Sequence, residues 1–221
     1  MRTPLSVEIW SDVVCPWCYI GKRRLEQAAE RLADRVELQV VFRPYQLDPG
    51  APVGRPSPVA EAYAKKFGGP DRAEQILSHV TRTAAQDGLE FRMDLALRAN
   101  TRLAHRLLWL AEATGHQYAL KERLLRAYFT EGLDVGDIDV LARLAADVGL
   151  PADRVRDYLT SDDGEEQVGQ WVWQASELGI TAVPTFVFDG RWVVPGAQDV
   201  DTFVAVIERM LDRLATDGAD A

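Results

Sequence analysis

Asp12-Val13-Val14-Cys15-Pro16-Trp17-Cys18-Tyr19 is the stretch on which the reading of this chain turns. It holds both cysteines of the 221-residue sequence. Random placement of two cysteines would give the C-x-x-C spacing about once in a hundred. Residues 5–10 alternate in the manner of a strand and lead into the stretch. Beyond it, Ile20, Leu25, Ala28, Ala29 and Leu32 recur at helical spacing to about Ala33. Ser11 and Asp12 favour a turn, and Pro16 suits a first helical turn, where its missing N–H costs little. The cysteines are therefore expected where a strand turns into a helix.

That position has chemical consequences. Cysteines at i and i+3 of a helix start lie on one side, close enough to bridge with little backbone movement. Cys15 stands where unpaired N–H groups and the positive end of the helix dipole stabilise a thiolate. Cys18 lies one turn in, less exposed and less well placed to be an anion. Cys15 is thus the expected attacking thiolate and Cys18 the resolving thiol. The competing readings are an inert buried pair and half of a zinc site. Zinc needs about four ligands. The only histidines, His79, His105 and His116, each stand alone on a helical stretch, and there is no second C-x-x-C, so no metal is expected. Pro16 stiffens the turn, and Trp17 brings no charge to the thiolate. Asp12 has two open roles: taking the proton of Cys18, or satisfying turn N–H groups at the helix start.

Working outward, Val36 to Phe42 alternates as a second strand, completing a βαβ unit with parallel strands. Pro44 to Pro58 is a Pro/Gly-rich loop. A block of helices follows. Ser57-Pro58 opens one, broken at Gly68-Gly69-Pro70; Asp71 to Asp87 forms the next; Asn100-Thr101 opens another; Gln117 to Thr130 follows. Asp137 caps a fifth, Asp153 to Leu159 is short, and Asp163 with Glu166 marks a capping-box start for one running to Gly179. Strand character returns at Thr185–Phe188 and Arg191–Val194, flanking the two-residue hairpin signal Asp189-Gly190. Asp199 caps a closing helix, and the tail from Asp217 to Ala221 is expected to fray. The order βαβ, helices, ββα predicts one α/β sheet domain, residues 1–56 and 180–221, split by a helical insertion over 57–179. Pro184 opens a strand directly after a helix, where it cannot stand mid-ladder and where a cis bond would fit.

Composition narrows the partners. The hydrophobic fraction of 47% and charged fraction of 27% are ordinary for a globular protein. A net charge of −9 argues against nucleic acid or an anionic membrane as partner. No apolar run reaches the length of a membrane span, and the start shows no apolar leader, so a cytoplasmic location is expected. In a reducing compartment a structural disulfide is disfavoured, which points the pair to redox chemistry. Trp109, Trp171 and Trp173 read as core or groove lining. Lys22-Arg23-Arg24 reads as the solvated face of the first helix.

The chain resembles the thioredoxin-fold DsbA-like family, and within it the FrnE branch of dithiol–disulfide oxidoreductases. The resemblance rests on Trp10 through Lys22, on Phe42-Arg43-Pro44-Tyr45-Gln46-Leu47-Asp48-Pro49, on Asn100-Thr101 with Ala104-His105-Arg106, on Ala127-Tyr128-Phe129, and on Val183-Pro184 with Pro195-Gly196-Ala197-Gln198. It implies a thioredoxin fold with a helical insertion, a nucleophilic Cys15, a resolving Cys18 and a cis Val183–Pro184 bond facing them. It also implies that the backbone of Val183 pairs with a bound substrate strand, and that Asn100 and His105 face the dithiol, in reach of substrate or glutathione. No cofactor beyond the dithiol is implied; the partner is a disulfide-bearing protein or small molecule, with glutathione as a candidate co-substrate. Relatives often place a buried acid six residues before the first cysteine, where this chain has Ile9, next to Glu8. Two other readings are a glutathione-dependent isomerase or transferase on a small aromatic substrate, and a non-catalytic binding module or chaperone. No pattern selects an oligomeric state.

Overall fold

The computed structural model describes residues 2–217; the tail expected to fray lies outside them from Gly218 onward. Strand β1 (Thr3–Ser11), helix α1 (Pro16–Arg31) and strand β2 (Val36–Pro44) form the βαβ unit. β1 and β2 run parallel in register from Thr3 against Val36 to Ser11 against Pro44. The chain then passes through β3 (Ser57–Pro58), α2 (Val59–Phe67), α3 (Pro70–Gln86), β4 (Leu97–Arg98), α4 (Arg102–Ala113), α5 (Gln117–Phe129), α6 (Ile138–Ala146), α7 (Ala152–Thr160) and α8 (Glu165–Glu177). It closes with β5 (Thr185–Phe188), β6 (Trp192–Pro195) and α9 (Val200–Asp217). The sheet order is β2-β1-β5-β6, with β5 antiparallel to both β1 and β6. This is the thioredoxin arrangement with a helical block inserted before its closing ββα.

Two apolar cores follow from the strand alternation. Leu5, Val7 and Ile9 point to one face of β1, where they pack with Leu25 of α1, Phe186 and Phe188 of β5, and Phe203 and Ile207 of α9. Trp10 points to the other face, fully buried, and meets Trp171 of α8 at 5.7 Å between ring centroids. The helical block has its own core. Leu107, Leu120, Leu124, Phe129 and Leu141 belong to it, and α1 reaches into it with Tyr19 and Ile20. Helix α1 is therefore shared, with one side on the sheet and the other on the insertion.

Several local expectations need correction. Ser57 does not cap α2; Ser57–Pro58 pairs with Leu97–Arg98 as a two-strand ribbon, and Pro58 takes the cap position without a side-chain bond. Asp163 does not cap α8. Gly164, at φ 78°, precedes the helix, and the Asp163 carbonyl instead accepts from Arg106. The hairpin places Asp189 and Gly190 at φ 47° and 63°, as a primed turn requires. However, Arg191 bonds back to Phe188 within the turn, and β6 begins one residue later, at Trp192. Trp173 is 64% exposed and lines no core. By contrast, Asp137 accepts from the Val140 N–H at 2.8 Å and Asp199 from the Thr202 N–H at 2.7 Å, the expected caps of α6 and α9.

The basic run Lys22-Arg23-Arg24 is not a solvated face. The Lys22 side chain is 3% exposed and lies between Glu26 at 2.6 Å and Glu122 at 2.5 Å. Glu122 of α5 also accepts from Tyr19 at 2.7 Å and Arg23 at 2.8 Å. Arg24 pairs with Asp87 at 2.9 Å and donates to the Ala197 carbonyl at 3.0 Å. These contacts seam α1 to α5, to the end of α3 and to the loop after β6. A second clasp binds α5 to the outer strand: the Gln117 side chain accepts from the Phe42 N–H at 2.9 Å and donates to its carbonyl at 3.0 Å. The β2 edge is thereby covered.

Candidate active site

Cys15 occupies the N-cap position of α1, with extended backbone and Pro16 at the first helical position. Its carbonyl already accepts from the N–H of Cys18 at 3.1 Å, so the helix begins at the first cysteine. Both cysteines are free and each is 3% exposed. The Cys15 thiol donates to the carbonyl of Val183 at 3.7 Å. The Val183–Pro184 peptide is cis, and Pro184 is buried. Gly21, one turn along α1, makes this close approach possible. A Cβ there would meet the Pro184 ring at 3.1 Å, Phe186 at 3.2 Å and the Ala197 backbone at 3.3 Å.

Burial is the main force on Cys18. It pushes the Cys18 thiol well above its ordinary value, and the neighbouring Cys15 sulfur adds to the rise. Trp17 is partly buried and packs its ring on His79 of α3, 6.0 Å between centroids. Tyr63 of α2 was not singled out by the sequence. Burial, then the charge of Cys15, pushes its phenol up to about 12.

Asp12 is fully buried and its oxygens are occupied. Oδ1 accepts from the Val13 N–H at 2.8 Å and faces His105 Nε2 at 3.2 Å; Oδ2 accepts from the Leu47 N–H at 2.8 Å. Burial alone would raise its titration. The His105 contact, the Leu47 N–H and the charge of Lys121 outweigh it and hold the carboxyl below its ordinary value. Asp12 is thus a fixed anion that ties β1, the loop after β2 and α4 together. Glu8 is engaged elsewhere, paired with Arg43 at 2.7 Å, and Ile9 lies in the sheet core.

The expectation that His105 faces substrate is corrected. Its side chain is 2% exposed and lies behind Asp12, with Nε2 also 3.1 Å from the Tyr45 carbonyl. Asn100 donates to the Ala51 carbonyl at 2.9 Å and accepts from the Arg102 N–H at 3.0 Å, so it pins the loop between β2 and β3 to the start of α4. That loop walls a cleft of about 490 Å³ beside the dithiol. Val14, Leu47, Tyr63 and Tyr128 line it, with Lys65 and Lys66 among its residues.

One buried charge, sharing a small cavity with His105, belongs to none of the sequence motifs. Lys121 of α5 is 1% exposed, and among the described residues its ammonium has no hydrogen-bond partner. Its Nζ lies 5.4 Å from the centroid of the Phe42 ring. The signal was available, because Gln117, Leu120, Lys121, Leu124, Leu125 and Tyr128 are the buried stripe of α5. A lysine at an apolar-stripe position is a lysine inside the molecule. Among the described residues, no group of three or more His, Cys, Asp or Glu is placed to hold a metal ion.

A dithiol at the head of α1, facing a cis-proline strand end on this sheet, defines a thioredoxin-fold thiol–disulfide oxidoreductase. Residues 6–208 match the DSBA-like thioredoxin domain, and the chain belongs to that family. It is 30% identical over 209 residues to the uncharacterized protein YwbO of Bacillus subtilis, covering 92% of this chain and 96% of that one. Among solved structures it is similar to a probable DsbA oxidoreductase, SCO1869, from Streptomyces coelicolor. That match has 35% identity and a TM-score of 0.87, and covers 93% and 89% of the two chains. The cytosolic disulfide reductase DsbM from Pseudomonas aeruginosa, solved with GSH, shares the fold at 22% identity and a TM-score of 0.66, covering 94% and 98%. No helix among the described residues is long and apolar enough to cross a membrane.

Proposed function

We propose that this chain is a FrnE-type cytoplasmic oxidoreductase or isomerase, with Cys15 as the attacking thiolate and Cys18 as the resolving thiol. The observation that supports this assignment is the difference between the two sulfurs. Cys15 holds the N-cap position of α1 and its sulfur faces the Val183 carbonyl at 3.7 Å, while burial and the neighbouring Cys15 sulfur push the Cys18 thiol well above its ordinary value. In the reducing direction, the Cys15 thiolate attacks one sulfur of a substrate disulfide. A Cys15–substrate bond forms, and the other substrate sulfur leaves as a thiolate. Cys18 then loses its proton and attacks the Cys15 sulfur. The Cys15–Cys18 bond forms, the second substrate sulfur leaves, and two electrons have passed to the substrate. Val183 presents its backbone to a substrate strand, with Pro184 closing the site beneath it.

The cleft beside Val14 takes the rest of the substrate, a disulfide-bearing protein segment or small molecule. The cleft carries Lys65, Lys66 and Arg98 against Asp48 and Glu61, and glutathione is a candidate co-substrate. Asn100 shapes the cleft through the loop it pins, Pro16 and Trp17 fix the turn between the sulfurs, and Asp12 with His105 holds the turn from behind. The test is turnover of a model disulfide by wild type, Cys15→Ser and Cys18→Ser. Cys15→Ser is expected to lose turnover, and Cys18→Ser to accumulate a mixed disulfide on Cys15. Full turnover by Cys15→Ser rejects the assignment.

A further inference from the structure

Residues 181–183 join the end of α8 to β5, and their hydrogen bonds go to side chains. None of their N–H groups bonds to another backbone group among the described residues. Each carbonyl instead accepts from a side chain: Thr181 from the Tyr45 hydroxyl at 3.1 Å, Ala182 from the Thr185 hydroxyl at 2.9 Å, and Val183 from the Cys15 thiol at 3.7 Å. The third bond is conditional. It needs the proton of a neutral thiol, and it is lost when Cys15 is a thiolate or is bonded to another sulfur. The Val183 carbonyl is then free to accept from a substrate N–H. We propose that Tyr45 is a positioning residue that keeps the Val183 backbone aligned for a peptide substrate through the steps in which the Cys15 bond is absent; this rests on the dithiol assignment above.

Tyr45 belongs to the loop after β2, and its own main chain is fixed to the turn that carries the nucleophile. Its carbonyl lies 3.1 Å from His105 Nε2, which is also 3.2 Å from Asp12 Oδ1. A carbonyl only accepts, so Nε2 carries the proton and donates to both oxygens. Two residues on, the Leu47 N–H donates to Asp12 Oδ2 at 2.8 Å, and Asp12 holds the Val13 N–H two residues before Cys15. The Tyr45 and Val183 side chains both pack against buried Trp10, Ala175 and Ile180. Tyr45 therefore spans the site. Its main chain is bound to the turn before Cys15, and its hydroxyl to the segment that faces Cys15. Thr185 cannot span it, because it stands on β5, three residues from the carbonyl it holds.

Two probes that release the same chromophore separate peptide pairing from attack on sulfur. One is an extended synthetic peptide whose single cysteine is disulfide-bonded to thionitrobenzoate. The other is Ellman's reagent, which has no peptide group to pair with Val183. Both are reduced in single turnover by an excess of reduced protein. Tyr45→Phe keeps the ring and removes the hydroxyl. It is expected to raise the protein concentration for half-maximal rate on the peptide about three- to tenfold, the worth of one net hydrogen bond, with the limiting rate and the rate on Ellman's reagent within about twofold. N-methylation of the peptide backbone flanking its cysteine removes the pairing N–H, and should cost wild type more than Tyr45→Phe. An unchanged half-maximal concentration in Tyr45→Phe overturns the proposal. So does an equal slowing on both probes, or N-methylation that costs both proteins alike, since either would make the hydroxyl a general structural support. Release from both probes at the wild-type rate by Cys15→Ser refutes the dithiol assignment itself.

Discussion

The sulfur of Cys15 lies 3.7 Å from the carbonyl oxygen of Val183, a residue 168 positions away in the chain. That contact brings the head of α1 to the end of the segment entering β5. It makes the site a product of the sheet topology β2-β1-β5-β6, in which β1 and β5 are neighbours. A long insertion between them costs little in closure entropy, which grows only slowly with loop length.

Asp12 links this site to acid stability. Its carboxyl titrates below the ordinary value in the folded state, so its contribution is present above the unfolded value, about 3.9, and is lost as pH falls through the folded one. Asp12→Asn leaves the amide facing at least one donor it cannot satisfy. It is expected to cost about 1–3 kcal/mol at neutral pH. The gap to wild type should close as pH falls below about 5. Urea unfolding at a series of pH values reads this directly; a gap constant with pH would contradict it.

Gly21 tests the fit of α1 onto Pro184. A valine there gains nothing in helix propensity large enough to offset three contacts at 3.1 to 3.3 Å, one of them to backbone. Overpacking of this kind costs about 1–3 kcal/mol. The expectation for Gly21→Val is a loss of stability in that range together with slower attack on a model disulfide, since α1 carries Cys15. Attack at the wild-type rate would show that the helix position does not set the site.

Glu122 is the shared acceptor of the α1–α5 seam. Glu122→Gln removes the charge opposite Lys22, whose side chain is nearly enclosed. Glu26 remains as a second partner at 2.6 Å, and Glu122 is itself about one-third exposed, so the loss is discounted to about 1–2 kcal/mol. Equilibrium denaturation checks this, and a change below about 0.3 kcal/mol would show the seam to be apolar in origin.

What was legible in the sequence was local. The C-x-x-C before a helical stripe, the helix stops at glycines, the caps at Asp137 and Asp199 and the Asp189-Gly190 turn each depend on a few adjacent residues. The ribbon of Ser57–Pro58 with Leu97–Arg98 is too short to leave a period-two pattern, so helix-start chemistry was read there instead. The partners of Lys22, Arg106 and Gln117 are non-local. Arg106 donates to the carbonyls of Tyr158, Ser161 and Asp163, and no spacing along the chain announces that meeting. Charged residues on helices are read as solvated by default. At Lys22 and Lys121 the apolar stripe around them argued otherwise. His105 lies enclosed behind Asp12, and no spacing along the chain tells which side of a carboxylate a histidine will occupy.

The most direct test of the central claim is equilibration of the protein in glutathione buffers of graded ratio, with rapid acid quenching, thiol alkylation and intact and peptide mass spectrometry. The account predicts that Cys15 and Cys18 pass together from two alkylated thiols to one intramolecular bridge, with the mass loss of two hydrogens, and that only Cys15 carries glutathione at intermediate ratios. Two thiols that stay independently alkylated across the whole range, or glutathione captured on Cys18 in preference to Cys15, would contradict it.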